Sequence, residues 1–216
     1  MTYSFTGFDL LRHGECTDGS IFRGHTDSAL SPQGWQQMVT AVDSARQHPA
    51  FESWDVIVSS PLQRCQTFAQ HLAEKLALPL DIETDLQEIF FGHWEGRNIV
   101  DIEQQDPTTL ALFWRTPDKV TIPGAESLQD FHTRIEQCFA RLQQQFRHRQ
   151  CLLITHGGVI RSLLGSALGM PLSHLPRLAV AHAGFSQLRI HHQQGEPDWV
   201  QLQQHITAWP SETRSE

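Results

Sequence analysis

The sequence predicts an α/β fold: a three-layer sandwich whose mostly parallel central sheet is flanked by helices, with a small helical and loop cap. Three observations predict it. Short apolar runs at Phe8 to Arg12, Trp54 to Val58 and Cys151 to Thr155 each stop at a polar or glycine-containing turn, as buried strands do. Between them lie stretches with helical apolar spacing: Trp35, Met38, Val39 and Val42, then Leu62, Cys65, Phe68, Ala69 and Leu72. Strands that alternate with helices pack as a sheet covered on both faces.

The elements follow in order. Phe8 to Arg12 is the first strand and runs into His13-Gly14. Ser31-Pro32-Gln33-Gly34 opens a helix, with Pro32 at the first helical position. Trp54 to Val58 is a second strand closed by Ser59-Ser60-Pro61, with a helix behind it, and Leu80 to Ile82 is a brief third. Residues 98–126 hold Pro107, Pro117 and Pro123 and read as helical pieces and loops forming the cap. Phe131 to Phe146 is an amphipathic helix, Cys151 to Thr155 a fourth strand, and Val159 to Leu168 a helix. Phe185 to Ile190 and Trp199 to Leu202 are closing strands around a polar turn near Gly195, and His191-His192 falls in that turn. A single domain over residues 1–208 and a loose tail at 209–216 are expected.

Composition narrows the function classes. The chain has 216 residues, is 39% hydrophobic with 14 Gly, and carries 22 Gln, which argues against disorder. Its net charge of −8 disfavours nucleic acid as a partner. No apolar run approaches the roughly 20 residues of a membrane span, and the first residues lack a signal-peptide pattern. Cys16, Cys65, Cys138 and Cys151 form no CxxC pair, so a reduced, cytoplasmic chain with unpaired thiols is expected.

The strand ends carry the chemistry. In a parallel sheet, ligands sit at the carboxyl ends of the strands. Two strands end in the same residue types, Arg12-His13-Gly14 and Thr155-His156-Gly157-Gly158. A third leads into Ser59-Ser60-Pro61-Leu62-Gln63-Arg64. Glycine after each His permits close backbone approach, and Arg12 and Arg64 bring forked, permanently charged donors suited to phosphate. The combination reads as a phosphate pocket with imidazoles inside it. A zinc deaminase reading of His13-Gly14-Glu15 fails for want of a downstream CxxC.

These residues also carry a resemblance. Leu11-Arg12-His13-Gly14-Glu15, Ser59 to Thr67, Leu86 to Gly96, Pro123-Gly124-Ala125-Glu126-Ser127 and Thr155-His156-Gly157-Gly158 resemble, in order, the motifs of the histidine phosphatase superfamily. That family includes cofactor-dependent phosphoglycerate mutases and α-ribazole phosphatases. The resemblance spans Phe8 to about Leu202 and implies roles. His13 would be the nucleophile; Arg12, Arg64 and His156 would clamp the phosphate; Glu88 would be general acid, then base. Thr17, Arg23, Gly24 and Gly157 would line the substrate. The loop Cys16 to Ser20 lacks an Asn that many relatives place near the phosphate, and Thr17 or the amide of Gly19 would stand in. The short loop ending at Phe22-Arg23-Gly24 resembles an α-ribazole phosphatase-like subgroup.

The expected activity is hydrolysis of a small phosphorylated metabolite through a phosphohistidine, without metal or cofactor. By resemblance the substrate is α-ribazole 5′-phosphate, which would place the chain in cobalamin biosynthesis. A phosphoglycerate mutase is disfavoured because the cap offers only Arg97, Arg115 and Lys119, with no adjacent pair. An inactive phosphate-binding module is disfavoured because the five catalytic candidates are intact. Glu126 is read as either a substrate contact or a helix cap, Trp94 to Gly96 as packing, and Cys16 as a space-filler.

Overall fold

The computed structural model describes residues 4–207, so the expected tail lies outside the described residues. Its strands are β1 (Ser4–Arg12), β2 (Val56–Ser59), β3 (Leu80–Ile82), β4 (Gln150–Thr155), β5 (Phe185–His192) and β6 (Trp199–Ile206). They form one sheet in the order β3-β2-β4-β1-β5-β6. β5 runs antiparallel to both its neighbours, and the other pairings are parallel. The helices are α1 (Pro32–Gln47), α2 (Gln63–Leu76), α3 (Ile99–Gln105), α4 (Pro107–Arg115), α5 (Leu128–Gln145) and α6 (Gly157–Ala167).

The apolar pattern explains the layers. In β4, Cys151 and Leu153 face one core while Leu152 and Ile154 face the other. A central parallel strand is covered on both faces and therefore reads as a continuous apolar run. α5 and α6 pack on the first face through Phe131, Ile135, Val159 and Leu163. α1 and α2 pack on the second through Met38, Val42, Phe68 and Leu72. A third cluster of Phe22, Trp94, Ile102, Leu110 and Ile122 sits under α3 and α4. Among the described residues, no helix is long and apolar enough to cross a membrane.

Side-chain caps fix the helix starts. Ser31 Oγ accepts from the amide of Gly34 at 2.9 Å, with Pro32 at the first position of α1. Ser127 and Asp130 exchange hydrogen bonds at the start of α5. α6 begins at Gly157, two residues before the apolar pattern shows it, because two glycines contribute no side chain to that pattern.

The turn expected at His191-His192 is instead strand, since β5 continues through both residues. His192 Nε2 lies 2.7 Å from Thr6 Oγ1 and its Nδ1 lies 2.9 Å from the Asp198 carboxylate. The order Thr-His-Asp is that of a catalytic triad, but the His192–Asp198 contact lacks hydrogen-bond geometry and Thr6 is fully buried. The three residues tie the β5–β6 turn to β1.

Register positions the site. Arg12 is opposite Thr155, and Ser59 is opposite Ile154. The ladder continues past the strands: the His13 amide donates to Thr155 O at 2.9 Å and the Ser60 amide to Ile154 O at 3.0 Å. The three strand-end motifs therefore meet at one edge of the sheet. The loop after His13 lies against the start of α1, where a Cβ on Gly14 would fall 2.0 Å from Gly34 O. Gly14→Ala must push the two backbones apart. We expect a loss of about 1–3 kcal/mol, read as a fall of several degrees in thermal midpoint by calorimetry. An unchanged midpoint would show that the approach is not constraining.

Candidate active site

His13 lies where β1 ends and is buried. Its Nδ1–H donates to Gly14 O at 2.7 Å, which leaves Nε2 with a free lone pair. Burial, then the charges of Arg64 and Arg12, hold its pKa well below the ordinary value, so the ring is neutral. Cys16 Sγ lies 3.8 Å from the same carbonyl, and burial pushes its thiol pKa up. It fills space beside the imidazole.

Arg64, in the first turn of α2, is fully buried. Its Nη1 donates to Thr26 O at 2.8 Å, its Nη2 to Gly24 O at 2.7 Å and its Nε to His156 Nδ1 at 3.2 Å. His156 Nδ1 is therefore an acceptor, and Nε2–H donates to Ser60 Oγ at 2.7 Å. Burial and then Arg64 lower the His156 pKa well below normal. The two imidazole rings lie 5.3 Å apart.

Arg12 donates from Nη1 to Val180 O at 2.7 Å. Its Nε is one of two buried side-chain nitrogens without a hydrogen-bond partner among the described residues. The other, His192 Nδ1, has the Asp198 carboxylate 2.9 Å away. An unpaired buried donor costs about 1–3 kcal/mol, so Arg12 Nε calls for an acceptor. Burial pushes the Arg12 pKa down to about 10, against the opposing pull of Glu88.

Glu88 is buried against the start of α6. Its Oε2 accepts from the Gly158 amide at 2.9 Å and its Oε1 from the Ile89 amide at 3.1 Å. A Cβ on Gly158 would fall 2.2 Å from Oε1, so glycine is what admits the carboxyl here. A cavity of about 190 Å³ opens from Glu88 and Gly158 towards Phe91, Phe113, Trp114 and Leu128, with Arg161 beside it.

Arg12, His13, Arg64, Glu88 and His156 thus share one edge of the sheet. Gly157 packs over Arg12, where a Cβ would come within 3.3 Å of Nε. Arg23 is held at the rim: its Nε donates to Asp18 at 3.1 Å and to Ser28 Oγ at 3.0 Å. Two residues expected to line the substrate do not present their amides to it. The amide of Gly24 goes to Glu95 at 3.0 Å and its carbonyl to Arg64, so Gly24 is part of the wall that holds Arg64. Thr17 is exposed, and its amide goes to Ala29 O at 3.1 Å. Glu126 does not cap α5, whose cap is Ser127; Arg134 grips it through Nε at 3.0 Å and Nη2 at 2.8 Å.

Sequence reading passed over four neighbours. Ser60 stands in the Ser59 to Thr67 segment, but only the fold shows it bonding His156. Arg161 is four residues after Gly157 on α6, a spacing that puts both on one helix face. Glu95 accepts from the amides of Gly24, Thr26 and Phe91, and so ties the loop before α1 to the cap. His182 had no signal: it precedes the antiparallel β5 and comes within 5.7 Å of the His13 ring. Its pKa falls to about 4, first by desolvation and then by Arg12 and Arg23.

So much buried positive charge around a neutral ring nitrogen, at the carboxyl edge of a parallel sheet, defines an α/β enzyme that handles phosphate. The particular family follows from comparison with known proteins: the chain belongs to the histidine phosphatase superfamily (branch 1), whose model matches residues 8–203. It is similar to the adenosylcobalamin/alpha-ribazole phosphatase of Escherichia coli K12, at 30% identity over 84% of this chain and 88% of the relative. Its fold matches a mycobacterial glucosyl-3-phosphoglycerate phosphatase with a TM-score of 0.80 and 27% identity, covering 96% of this chain and 100% of that one. A structure of the same mycobacterial enzyme with inorganic phosphate matches at 0.75 and 27% identity, covering 94% and 97%. The chain is a phosphatase.

The lowered histidine pKa values fix a pH dependence. The unfolded chain takes up protons at His13 and His156 near the ordinary 6.5, and the folded protein does not. Their contribution is full above that pH and is lost as pH falls below it towards the folded pKa values. Urea midpoints should therefore drop between pH of about 7.5 and about 5.5. Millimolar inorganic phosphate should raise them, and Arg12→Ala should abolish that rise; a phosphate effect that survives Arg12→Ala would place the anion elsewhere.

Proposed function

We propose that this phosphatase hydrolyses a small phosphomonoester through a phosphohistidine, with α-ribazole 5′-phosphate as its substrate. The observation that carries the reading is the unpartnered Arg12 Nε next to a neutral His13 whose Nε2 is free. Arg12 and the one remaining N–H of Arg64, on Nη1, take phosphate oxygens. His156 takes another by sharing the N–H that now bonds Ser60. The N-terminus of α6 adds its partial positive charge.

In the first step His13 Nε2 gives its electron pair to phosphorus and the ester P–O bond breaks. Glu88, as the acid, passes its proton to the departing oxygen. In the second step Glu88 takes a proton from water as the water oxygen attacks phosphorus. The P–N bond breaks and its electron pair returns to Nε2. Both steps depend on positioning and charge stabilisation.

The α-ribazole assignment draws on the similarity to the Escherichia coli adenosylcobalamin/alpha-ribazole phosphatase and on the short loop through Arg23. The mutase alternative lacks support in the cap: Arg97, Arg115 and Lys119 do not line the cavity beside Glu88. Four unpaired, buried thiols fit a reduced, cytoplasmic setting.

His13→Ala should abolish phosphate release and a base-stable, acid-labile phosphoenzyme. Glu88→Gln should lower kcat by about 10²–10⁴-fold. Phosphate release compared across α-ribazole 5′-phosphate, 3-phosphoglycerate and p-nitrophenyl phosphate tests the substrate. Isomerisation of phosphoglycerate that requires bisphosphoglycerate and frees little phosphate would overturn the hydrolase reading.

A further inference from the structure

We infer that the cavity beside Glu88 is a ring site: the enzyme selects phosphomonoesters whose alcohol carries a flat apolar ring, and Phe113 and Trp114 set that selectivity. The inference rests on the proposed role of Glu88 and adds the chemistry of the leaving group.

The cavity starts at Glu88 and Gly158. A group that receives the Glu88 proton on its oxygen must extend into this space, so its occupant is the leaving alcohol. The wall is made of Phe91, Phe113, Trp114, Leu128, Phe131 and Leu175, and among the described residues no hydroxyl or amide side chain lines it. A polyol there would lose its hydrogen bonds to water without replacing them. An apolar ring loses nothing and buries area.

Size agrees. An apolar cavity of about 150 Å³ holds one benzene ring, and this one measures about 190 Å³. It takes one ring system and is smaller than the roughly 300 Å³ lower bound for drug-sized ligands. A further void of about 30 Å³ lies behind Ile89, Phe91 and Phe113, so that wall has room to give.

The aromatic geometry is that of a receptor for rings. Phe113 meets Phe91 at 5.9 Å and Trp94 at 5.7 Å, both edge to face, which holds it against the cap core. Trp114 meets Phe113 at 5.0 Å and 67°. Trp114 lines the cavity, stacks on Phe22 at 5.9 Å and 22°, and remains 51% exposed, so the ring has apolar surface still to cover. An incoming ring adds one more member to an existing aromatic series.

Charge placement excludes the opposite class. Arg161 is the cation lining the cavity among the described residues. Its Nε is committed to Leu178 O at 2.9 Å, and its Nη1 is the nearest atom, at 3.2 Å, to a Cβ built on Gly157, at the phosphate end. Beyond Arg161, a carboxylate carried into the cavity meets no cation among the described residues.

The test uses alkyl esters only, so that leaving-group acidity is nearly constant: 1-naphthylmethyl and benzyl phosphate against ethyl phosphate and glycerol 1-phosphate. The arylmethyl esters should show kcat/KM at least about tenfold higher. Trp114→Ala and Phe113→Leu should each cut the ratio of 1-naphthylmethyl to ethyl ester by about fivefold or more. Lys119→Ala, on the same cap but not lining the cavity, should leave it unchanged. Because Trp114 is exposed, its variant is expected to fold even if the Phe113 variant does not. Competitive inhibition by 1-naphthylmethylphosphonate and ethylphosphonate gives the same comparison without turnover. Equal rates or affinities for ring and non-ring compounds, or ratios untouched in the Trp114 variant, overturn the ring site. If no ester releases phosphate, the hydrolase reading fails, and the phosphonate pair still decides the ring site.

Discussion

A fully buried guanidinium that, among the described residues, no carboxylate pairs with governs this structure. Arg64 gives its donors to the carbonyls of Gly24 and Thr26 and to the ring of His156. Carbonyl dipoles solvate a buried cation but leave its charge in place, and an unsolvated one would cost several kcal/mol. Three consequences follow from that single arrangement. The loop carrying Gly24 and Thr26 must be ordered, because the cation depends on it. The nearby imidazoles stay neutral, because burial and then repulsion by Arg64 disfavour a further positive charge. The pocket keeps positive charge that Glu88 opposes in part and that an incoming anion can offset further.

Glu95 secures the same loop from the other side. Burial raises its pKa, but hydrogen bonds from Thr26 and the Phe91 amide prevail and leave it below the usual carboxylate range. Its neighbour Trp94 packs in the cap core. The stretch read as packing therefore does two jobs: Trp94 anchors the cap, and Glu95 joins it to the loop that solvates Arg64. The anion site and the leaving-group cavity are mechanically linked through these two residues.

The chain's net charge of −8 gave no hint of an anion site. Both facts hold because the acidic groups lie mostly outside. Surface charge acts through solvent and is screened within about 10 Å, whereas Arg12 and Arg64 act inside the protein at close range. The reaction centre and its specificity are likewise set by different physics. Charge and hydrogen bonding hold the phosphate; apolar area and ring geometry face the alcohol.

How much was readable residue by residue depended on how local each determinant is. The strands, the flanking helices and the five residues at the sheet edge were legible, because apolar runs and strand-end His-Gly pairs are contiguous in sequence. His191 and His192 were misplaced because two histidines alternating at a strand end look the same as a polar turn. The amides of Gly24 and Thr17 bond Glu95 and Ala29, partners that no spacing reveals. The Glu126–Arg134 pair and the approach of His182 to His13 arise the same way. The sequence by itself determined which side chains exist at the ends of β1, β2 and β4, and so the phosphate chemistry. Only the tertiary structure decided which donors are spent, which remain free, and that the cavity beside Glu88 is walled by rings, because those depend on contacts between segments far apart in the chain.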